Sequence, residues 1–178
     1  TTLFRSFGGV LLKDENLVLL KEIVRTIVKT SKKPVSAKMR LGFDEIVAVD
    51  RAKMLEDLGI IFLTVHGRVV KQMYKGQANY EKIKNVVENV SIPVIANGDI
   101  TNYEKAKYVL DYTGACGVSI GRGAVGRPWI FLEMKQKGNI TQKQKKEVIL
   151  EHFNQMINFY GEYGVILFRK HAHAYSKG

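Results

Sequence analysis

The sequence alternates amphipathic helical segments with short apolar strands, and this alternation restricts the fold more than any other feature. The first helical segment shows the pattern, since Leu17, Leu20, Val24 and Ile27 recur three or four positions apart. Strands are predicted to begin near residues 35, 61, 93 and 116. Strands that alternate with helices pair as parallel neighbours through right-handed crossovers. The sequence therefore predicts an α/β protein with a parallel sheet.

Capping residues predict where the helices begin. Asp14 is placed to cap the first helix, and Thr101 has capping-box spacing with the glutamate three residues later. After Trp129 the alternation of strands and helices stops. Thr141 begins a second capping box with Gln144, followed by a longer helix whose apolar stripe runs from Ile149 to Tyr160. Residues 141–178 are therefore predicted to form a helical appendage.

Composition restricts the class of partner and the compartment. Lys and Arg number 28 against 17 Asp and Glu, giving a net charge of +11 and a pI near 9.7, which indicates a polyanionic partner or a general attraction for anions. The single cysteine, Cys116, excludes a disulfide framework and a cysteine-rich zinc site. The apolar runs are far shorter than the roughly 20 residues of a bilayer span. We expect a cytoplasmic protein without a membrane segment or a metal.

Polar residues follow each predicted strand at its carboxyl end. In parallel α/β folds these ends form the active face, so residues from separate strands converge on one site. Each residue alone also has an ordinary structural explanation: a packed lysine stem, a satisfied core histidine or a turn that contains glycine. The candidates are Lys38 with Arg40, His66 with Arg68, Asn97, Gly98 and Asp99, and Gly121, Arg122 and Gly123.

The segment from Gly121 to Gly126 spells G-x-G-x-x-G after a predicted strand. A dinucleotide-binding interpretation is disfavoured, because that motif belongs to the first strand of its domain and needs an acidic residue about 20 positions later. A phosphate-binding loop after a late strand of a barrel fits better, with backbone N–H groups and Arg122 as the donors. The loop therefore predicts a phosphorylated cofactor or substrate.

Both ends of the chain have features that we interpret as signs of truncation. Residues 1–6 show no periodicity or turn chemistry and match one reading frame of a common sequencing adapter, so we expect them to be non-native read-through. At the other end, a basic and aromatic run from Arg169 to Tyr175 is followed by no closing element. That run would pair phosphates and stack on bases, or it is a solvated basic helix end. We expect the chain to be a fragment.

Five ordered motifs resemble the tRNA-dihydrouridine synthase family, over nearly everything from Phe7 onward. Together they are far more specific than any one of them. They are Ala37–Gly42, Val65–Arg68 followed by Tyr74–Gly76, Ile95–Ile100, Ile120–Ala124 continuing through Gly126–Phe131, and Arg169–His171.

The resemblance implies the C-terminal half of a (β/α)8 TIM barrel over residues 7–133, which binds FMN, and a partial all-helical, tRNA-binding domain over residues 134–178. It implies reduction of uridine in tRNA to 5,6-dihydrouridine with NADPH as electron donor, by a full-length protein that is monomeric. The motifs would assign flavin contacts to Lys38, His66, Asn97, Gly98, Asp99, Gly121 and Arg122. They would assign substrate contacts to Arg40, near the uracil, and to Arg169, Lys170 and His171, on the tRNA.

In the family, an upstream half-barrel supplies a Gly-Cys-Pro loop whose cysteine protonates uracil C5. The matched motifs begin after that loop, so the resemblance assigns no catalytic residue to these 178 residues and we expect them to be inactive alone. Two alternatives stay open. One is another FMN- or phosphate-binding TIM-barrel oxidoreductase, and the other is a catalytically silent tRNA-binding fragment.

Overall fold

The computed structural model describes residues 8–177. The predicted read-through at residues 1–6 therefore lies outside the described residues. The described chain forms two compact units, one of residues 8–99 with 107–119 and the other of residues 100–106 with 120–177. The predicted domain boundary at residue 133 stays a prediction.

Four parallel strands form the single sheet of the first unit. Their order in the sheet is their order in the chain, β1-β2-β3-β4, and each adjacent pair is parallel. This arrangement confirms the predicted α/β class, and it is the strand order of consecutive units in a (β/α)8 barrel. The strands are β1 (Ala37–Arg40), β2 (Leu63–His66), β3 (Val94–Asn97) and β4 (Gly117–Ser119).

Helices connect the strands, as their amphipathic patterns predict. A short 3-10 turn (Asp14–Asn16) leads into the first helix. Gly59 follows the second helix with a φ of +91°, a left-handed conformation that ends a helix at little cost for glycine. The helices are α1 (Leu17–Thr30), α2 (Ala48–Asp57), α3 (Tyr80–Val87) and α4 (Tyr103–Thr113).

The two faces of the sheet differ in burial. Met39, Leu63, Val65, Val94 and Ala96 alternate along the strands on one face, and all five are buried. The α3 helix packs against β3 with Ile83 and Val86 fully buried. On the opposite face, most side chains are half-buried or exposed. That less buried face carries four of the residues predicted to form the site, Lys38, Arg40, His66 and Asn97.

Two predicted helix caps are wrong. Asp14 lies in the 3-10 turn and pairs with Arg51 instead of capping α1. Arg51 is buried, and a buried guanidinium requires an acidic partner. The α4 helix begins at Tyr103, so its cap is Asn102, whose side chain accepts a hydrogen bond from the Lys105 backbone N–H at 2.8 Å, and not Thr101.

The second unit is helical after its first residues, with α5 (Ile130–Gln136), α6 (Gln142–Tyr160) and α7 (Tyr163–Tyr175). The predicted capping box of Thr141 and Gln144 is present. The predicted longer helix, whose apolar stripe ends at Tyr160, corresponds to α6, and α7 follows after Gly161, so the two helices form a hairpin. They approach closely at Gly164, where a β-carbon would collide with the Met156 carbonyl oxygen. No helix of residues 8–177 combines the length and apolar character needed to cross a bilayer.

Candidate functional site

One row of residues crosses the carboxyl ends of all four strands. The register aligns Arg40 with His66, His66 with Asn97, and Asn97 with Ser119. Residues in register on parallel strands point to the same face, and Lys38 lies two positions before Arg40 on that face. The first unit therefore brings together Lys38, Arg40, His66 and Asn97, the predicted site residues of three separate strands.

This end of the sheet is strongly cationic. Lys38 is exposed, and its pKa is lowered by partial burial of the ammonium and by the neighbouring Arg40 charge. The Arg40 guanidinium donates to the Val69 carbonyl oxygen at 3.0 Å and to that of Met73 at 3.3 Å. It also lies over the Tyr74 ring, 6.0 Å from the centroid. Loop contacts therefore fix the position of Arg40.

His66 is neutral at physiological pH. Burial, followed by the positive charges of Arg40, Lys38 and Arg68, lowers its pKa from 6.5 to about 4. Its Nε2 lies 3.5 Å from Nη1 of Arg68, and a guanidinium only donates hydrogen bonds. Nε2 is therefore the acceptor, and the single imidazole proton lies on Nδ1.

The lowered pKa of His66 gives a testable pH dependence. In the unfolded chain the imidazole is protonated below about pH 6.5, whereas in the folded protein it is protonated only below about pH 4. The neutral His66 therefore contributes its full share of the folded state's stability above pH 6.5, and this contribution is lost as the pH falls. As the pH falls from 6.5 to 4, we expect this group to lower the free energy of unfolding by up to about 1.4 kcal/mol per pH unit. Urea titrations of wild type and His66→Gln at pH 7 and pH 5 measure it. An equal loss in both proteins would contradict the assignment.

Arg68 and Asp99 join the ends of β2 and β3. The guanidinium donates to both carboxylate oxygens of Asp99, at 2.9 and 2.6 Å, and to the Gly76 carbonyl oxygen at 2.6 Å. Arg68 is only 2% exposed. Asp99 also accepts from the Ala78 backbone N–H at 2.8 Å. This bidentate pair therefore holds the loop after β2 against the end of β3.

Gly98 and Asn97 make two further connections at the end of β3. The Tyr80 hydroxyl donates to the Gly98 carbonyl oxygen at 2.7 Å, and burial and then Asp99 raise the pKa of Tyr80 to about 12, so this donor stays protonated. The Asn97 side-chain amide donates to the Ser119 carbonyl oxygen at 2.7 Å, between neighbouring strands. The predicted contacts of Asn97, Gly98 and Asp99 with a flavin stay predictions.

The glycine-rich loop lies in the second unit. Arg122 and the two residues after it form a 3-10 turn, and both Gly121 and Arg122 are exposed. Backbone N–H groups and a guanidinium are the donors with which a loop of this kind holds an anionic group. Phosphate binding by Gly121 and Arg122 stays a prediction.

The predicted tRNA contacts lie on α7. Arg169 and Lys170 are exposed on the helix. His171 is half-buried, and its pKa is lowered by burial, then by His152 and Lys170. The three consecutive residues are therefore not equivalent, because two present charge to solvent and the third is neutral and packed against the α6 helix through His152.

The sequence places Arg68 among the polar residues that follow strands and Tyr175 in the basic and aromatic run, without a defined contact for either. It does not single out Tyr80 or His152 as functional residues. Arg68 follows the end of β2 by two residues, and this position alone indicates that it lies near the proposed site. Its acidic partner is 31 residues away in the chain, beyond any local spacing rule. Within residues 8–177, no three His, Cys, Asp or Glu side chains are grouped as ligands for a metal ion.

A comparison with solved structures supports the barrel assignment. The structure is similar to that of an old yellow enzyme homologue from Zymomonas mobilis, with a TM-score of 0.53 and 24% identity over 71% of this chain and 38% of that one. At this identity the likeness concerns the fold alone. Together with the parallel sheet and the helices after residue 129, it confirms the predicted fold class, half of a (β/α)8 barrel followed by a partial helical domain.

Comparisons with known sequences are more specific. The dihydrouridine synthase family model matches residues 4–178, a range that includes the last three of the six residues interpreted as read-through. The chain is 46% identical over 167 residues to tRNA-dihydrouridine synthase B of Shewanella oneidensis, covering 88% of this chain and 52% of that protein. It is 44% identical over 181 residues to tRNA-dihydrouridine synthase B of Pasteurella multocida, covering 96% and 54%. The chain spans about half the length of these curated relatives and belongs to the dihydrouridine synthase family.

Proposed function

We propose that the chain is part of a tRNA-dihydrouridine synthase that reduces uridine in tRNA to 5,6-dihydrouridine, with FMN as cofactor and NADPH as electron donor. One observation carries the proposal. In a chain of this family, Lys38, Arg40 and His66 share one face at the carboxyl end of a parallel sheet. That end is where barrel enzymes hold their cofactors and substrates.

The residues of this face fit a flavin. Burial first, and then neighbouring positive charge, lowers the pKa values of Lys38 and His66, with Arg40 acting on both and Lys38 on His66. An electron-rich group would relieve this repulsion, and the pyrimidine edge of a flavin becomes negatively charged on reduction. FMN, when bound, would supply the hydride chemistry that the side chains present here lack. In this proposal Asn97, Gly98 and Asp99 line the ribityl side, and Gly121 and Arg122 take the phosphate.

The chain's own residues have distinct tasks in the proposed reaction. The Lys38 ammonium compensates negative charge at the pyrimidine edge. His66 carries its proton on Nδ1 and adds no charge, because its pKa is far below neutrality. Arg40 is already held by the Val69 and Met73 carbonyl oxygens, so it is positioned beside an incoming uracil without losing further side-chain freedom. Arg169 and Lys170 would bind tRNA phosphates.

We also propose that these 178 residues do not complete the reaction alone. Reduction of uracil needs a proton at C5 as well as a hydride at C6, and the family uses a cysteine for that proton. The one cysteine here, Cys116, directly precedes β4, at the end of the sheet opposite to the proposed site. The acid would therefore come from another segment.

A chimera tests the proposal. This chain would replace the matched half of the Shewanella oneidensis enzyme, to which it is 46% identical, and the chimera would be given FMN, NADPH and tRNA that lacks dihydrouridine. We expect retained flavin and a gain of two hydrogen atoms per modified uridine by mass spectrometry. Flavin retention with NADPH oxidation but unmodified tRNA would favour another FMN barrel oxidoreductase. Salt-dependent tRNA binding without flavin would favour the silent binding fragment.

In the same chimera, Lys38→Met is expected to weaken FMN binding about tenfold, because a charge-assisted contact is worth about 1.5–3 kcal/mol. Lys33→Met is the matched control, since Lys33 is exposed and precedes β1. Flavin fluorescence during titration measures both dissociation constants. Equal values for the two variants would remove Lys38 from the proposed flavin site.

A further inference from the structure

We propose that a pocket in the second unit binds an unpaired nucleobase of the tRNA, separate from the uracil that is reduced. The inference rests on the proposed function. The pocket has a volume of about 540 Å³ and lies between the end of the glycine-rich loop, together with Pro128, and the α6 and α7 helices. Its lining includes Val125, Pro128, His152, Gln155, His171 and Tyr175.

Three aromatic rings, those of His152, His171 and Tyr175, line the pocket and are fixed by their packing. The Tyr175 ring stacks on Trp129 with 5.9 Å between centroids and an interplanar angle of 18°. His152 Nδ1 lies 2.8 Å from the Tyr175 hydroxyl, and its ring meets Phe168 edge to face at 5.2 Å. At Gly126, a β-carbon would collide with the Ala174 carbonyl oxygen, so the end of the glycine-rich loop packs directly against α7. The pocket is therefore preformed, as ligand pockets generally are.

The polar groups of the pocket suit a neutral ligand. Burial, His152 and Lys170 lower the pKa of His171, so its ring offers one donor and one acceptor at neutral pH. Gln155 donates to Glu151 at 3.0 Å, and both residues line the pocket. None of the described lining residues is lysine or arginine. A phosphate would meet a carboxylate and no cation here, whereas a planar base with donors and acceptors on its edge fits.

Cations lie around the pocket rather than inside it. Arg169 and Lys170 are exposed and directly precede His171 in α7. Lys145 lies 5.6 Å from the ring centroid of Trp129, which supports Tyr175. Basic groups outside and neutral rings inside are the arrangement with which proteins hold single-stranded RNA, the phosphates on the surface and the base in the pocket. Of the residues assigned to tRNA binding by family resemblance, His171 thus lines the pocket, and Arg169 and Lys170 directly precede it in α7.

The test uses the 178-residue chain and two RNA hairpins of equal charge. One carries all four bases in its unpaired loop, and the other carries the same loop with abasic sugars. We expect the base-bearing hairpin to bind about tenfold more tightly, the effect of one base stacked on a ring. His171→Ala and Gln155→Ala should reduce the preference below about threefold. His173→Ala is the matched control, because His173 is exposed on the same helix outside the pocket and should leave the preference unchanged.

Three outcomes separate the inference from the proposed function. Equal, salt-dependent affinity for the two hairpins overturns the pocket and leaves tRNA binding in place. No binding of either hairpin at low salt overturns tRNA binding by this chain and the pocket with it. Photocrosslinking from 4-thiouridine in the loop should map to residues 124–128 or 171–175, and crosslinks confined to other segments would also overturn the pocket.

Discussion

Replacing Arg68 by methionine is expected to lower the free energy of unfolding of the first unit by about 3–5 kcal/mol, because it leaves a carboxylate without its cation. Arg68 is 2% exposed and binds both oxygens of Asp99 and the Gly76 carbonyl oxygen. The Asp99 side chain is itself only 28% exposed, so water replaces the lost guanidinium poorly. Urea denaturation followed by circular dichroism measures the change.

Lys107→Met is the matched control, because it breaks an exposed pair with Asp111 whose side chains are 61% and 64% exposed. Such a pair contributes at most about 1 kcal/mol. The double variant Arg68→Met with Asp99→Asn should recover part of the loss, since it removes the uncompensated charge. Equal stability of Arg68→Met and Lys107→Met would show that the buried pair does not hold the two strand ends together.

Gly98→Ala is expected to destabilise the first unit by about 3 kcal/mol, because it combines backbone strain with a collision. Gly98 has a φ of +125°, a conformation essentially restricted to glycine. A β-carbon there would lie 2.8 Å from that of Ala78 and 3.0 Å from Cδ2 of His66. The substitution therefore strains the loop after β2 and displaces His66 together.

Gly117→Ala in β4 is the control for Gly98→Ala, because no atom lies within 4 Å of a β-carbon at that position. Its stability should stay within about 0.5 kcal/mol of wild type. Thermal unfolding compares the two variants. If Gly98→Ala unfolds like wild type but does not retain flavin in the chimera, then Gly98 is needed for cofactor binding and not for the packing of the strand end.

Local patterns predicted the elements of this fold well. The three- and four-residue periodicity located α1 to α4, and the apolar runs located the four strands, with differences of a few residues at their ends. The capping box of Thr141 was also predictable, because all of its atoms lie within one helical turn. Asp14 was predicted wrongly for the opposite reason. Its partner Arg51 is 37 residues away, and that ion pair exists only in the folded chain.

The sequence by itself determined that parallel strands place Lys38, Arg40, His66 and Asn97 at one end of a sheet, since chain order and a two-residue period suffice for that. Only the tertiary structure decided the chemical state of these groups. His66 is neutral because folding buries it among three cations. Asp99 is ion-paired because pairing of β2 with β3 brings Arg68 next to it. Likewise, the α6 and α7 hairpin pairs His152 with Tyr175 across 23 residues. Desolvation and charge interactions depend on distance in space, which a spacing rule along the chain does not contain.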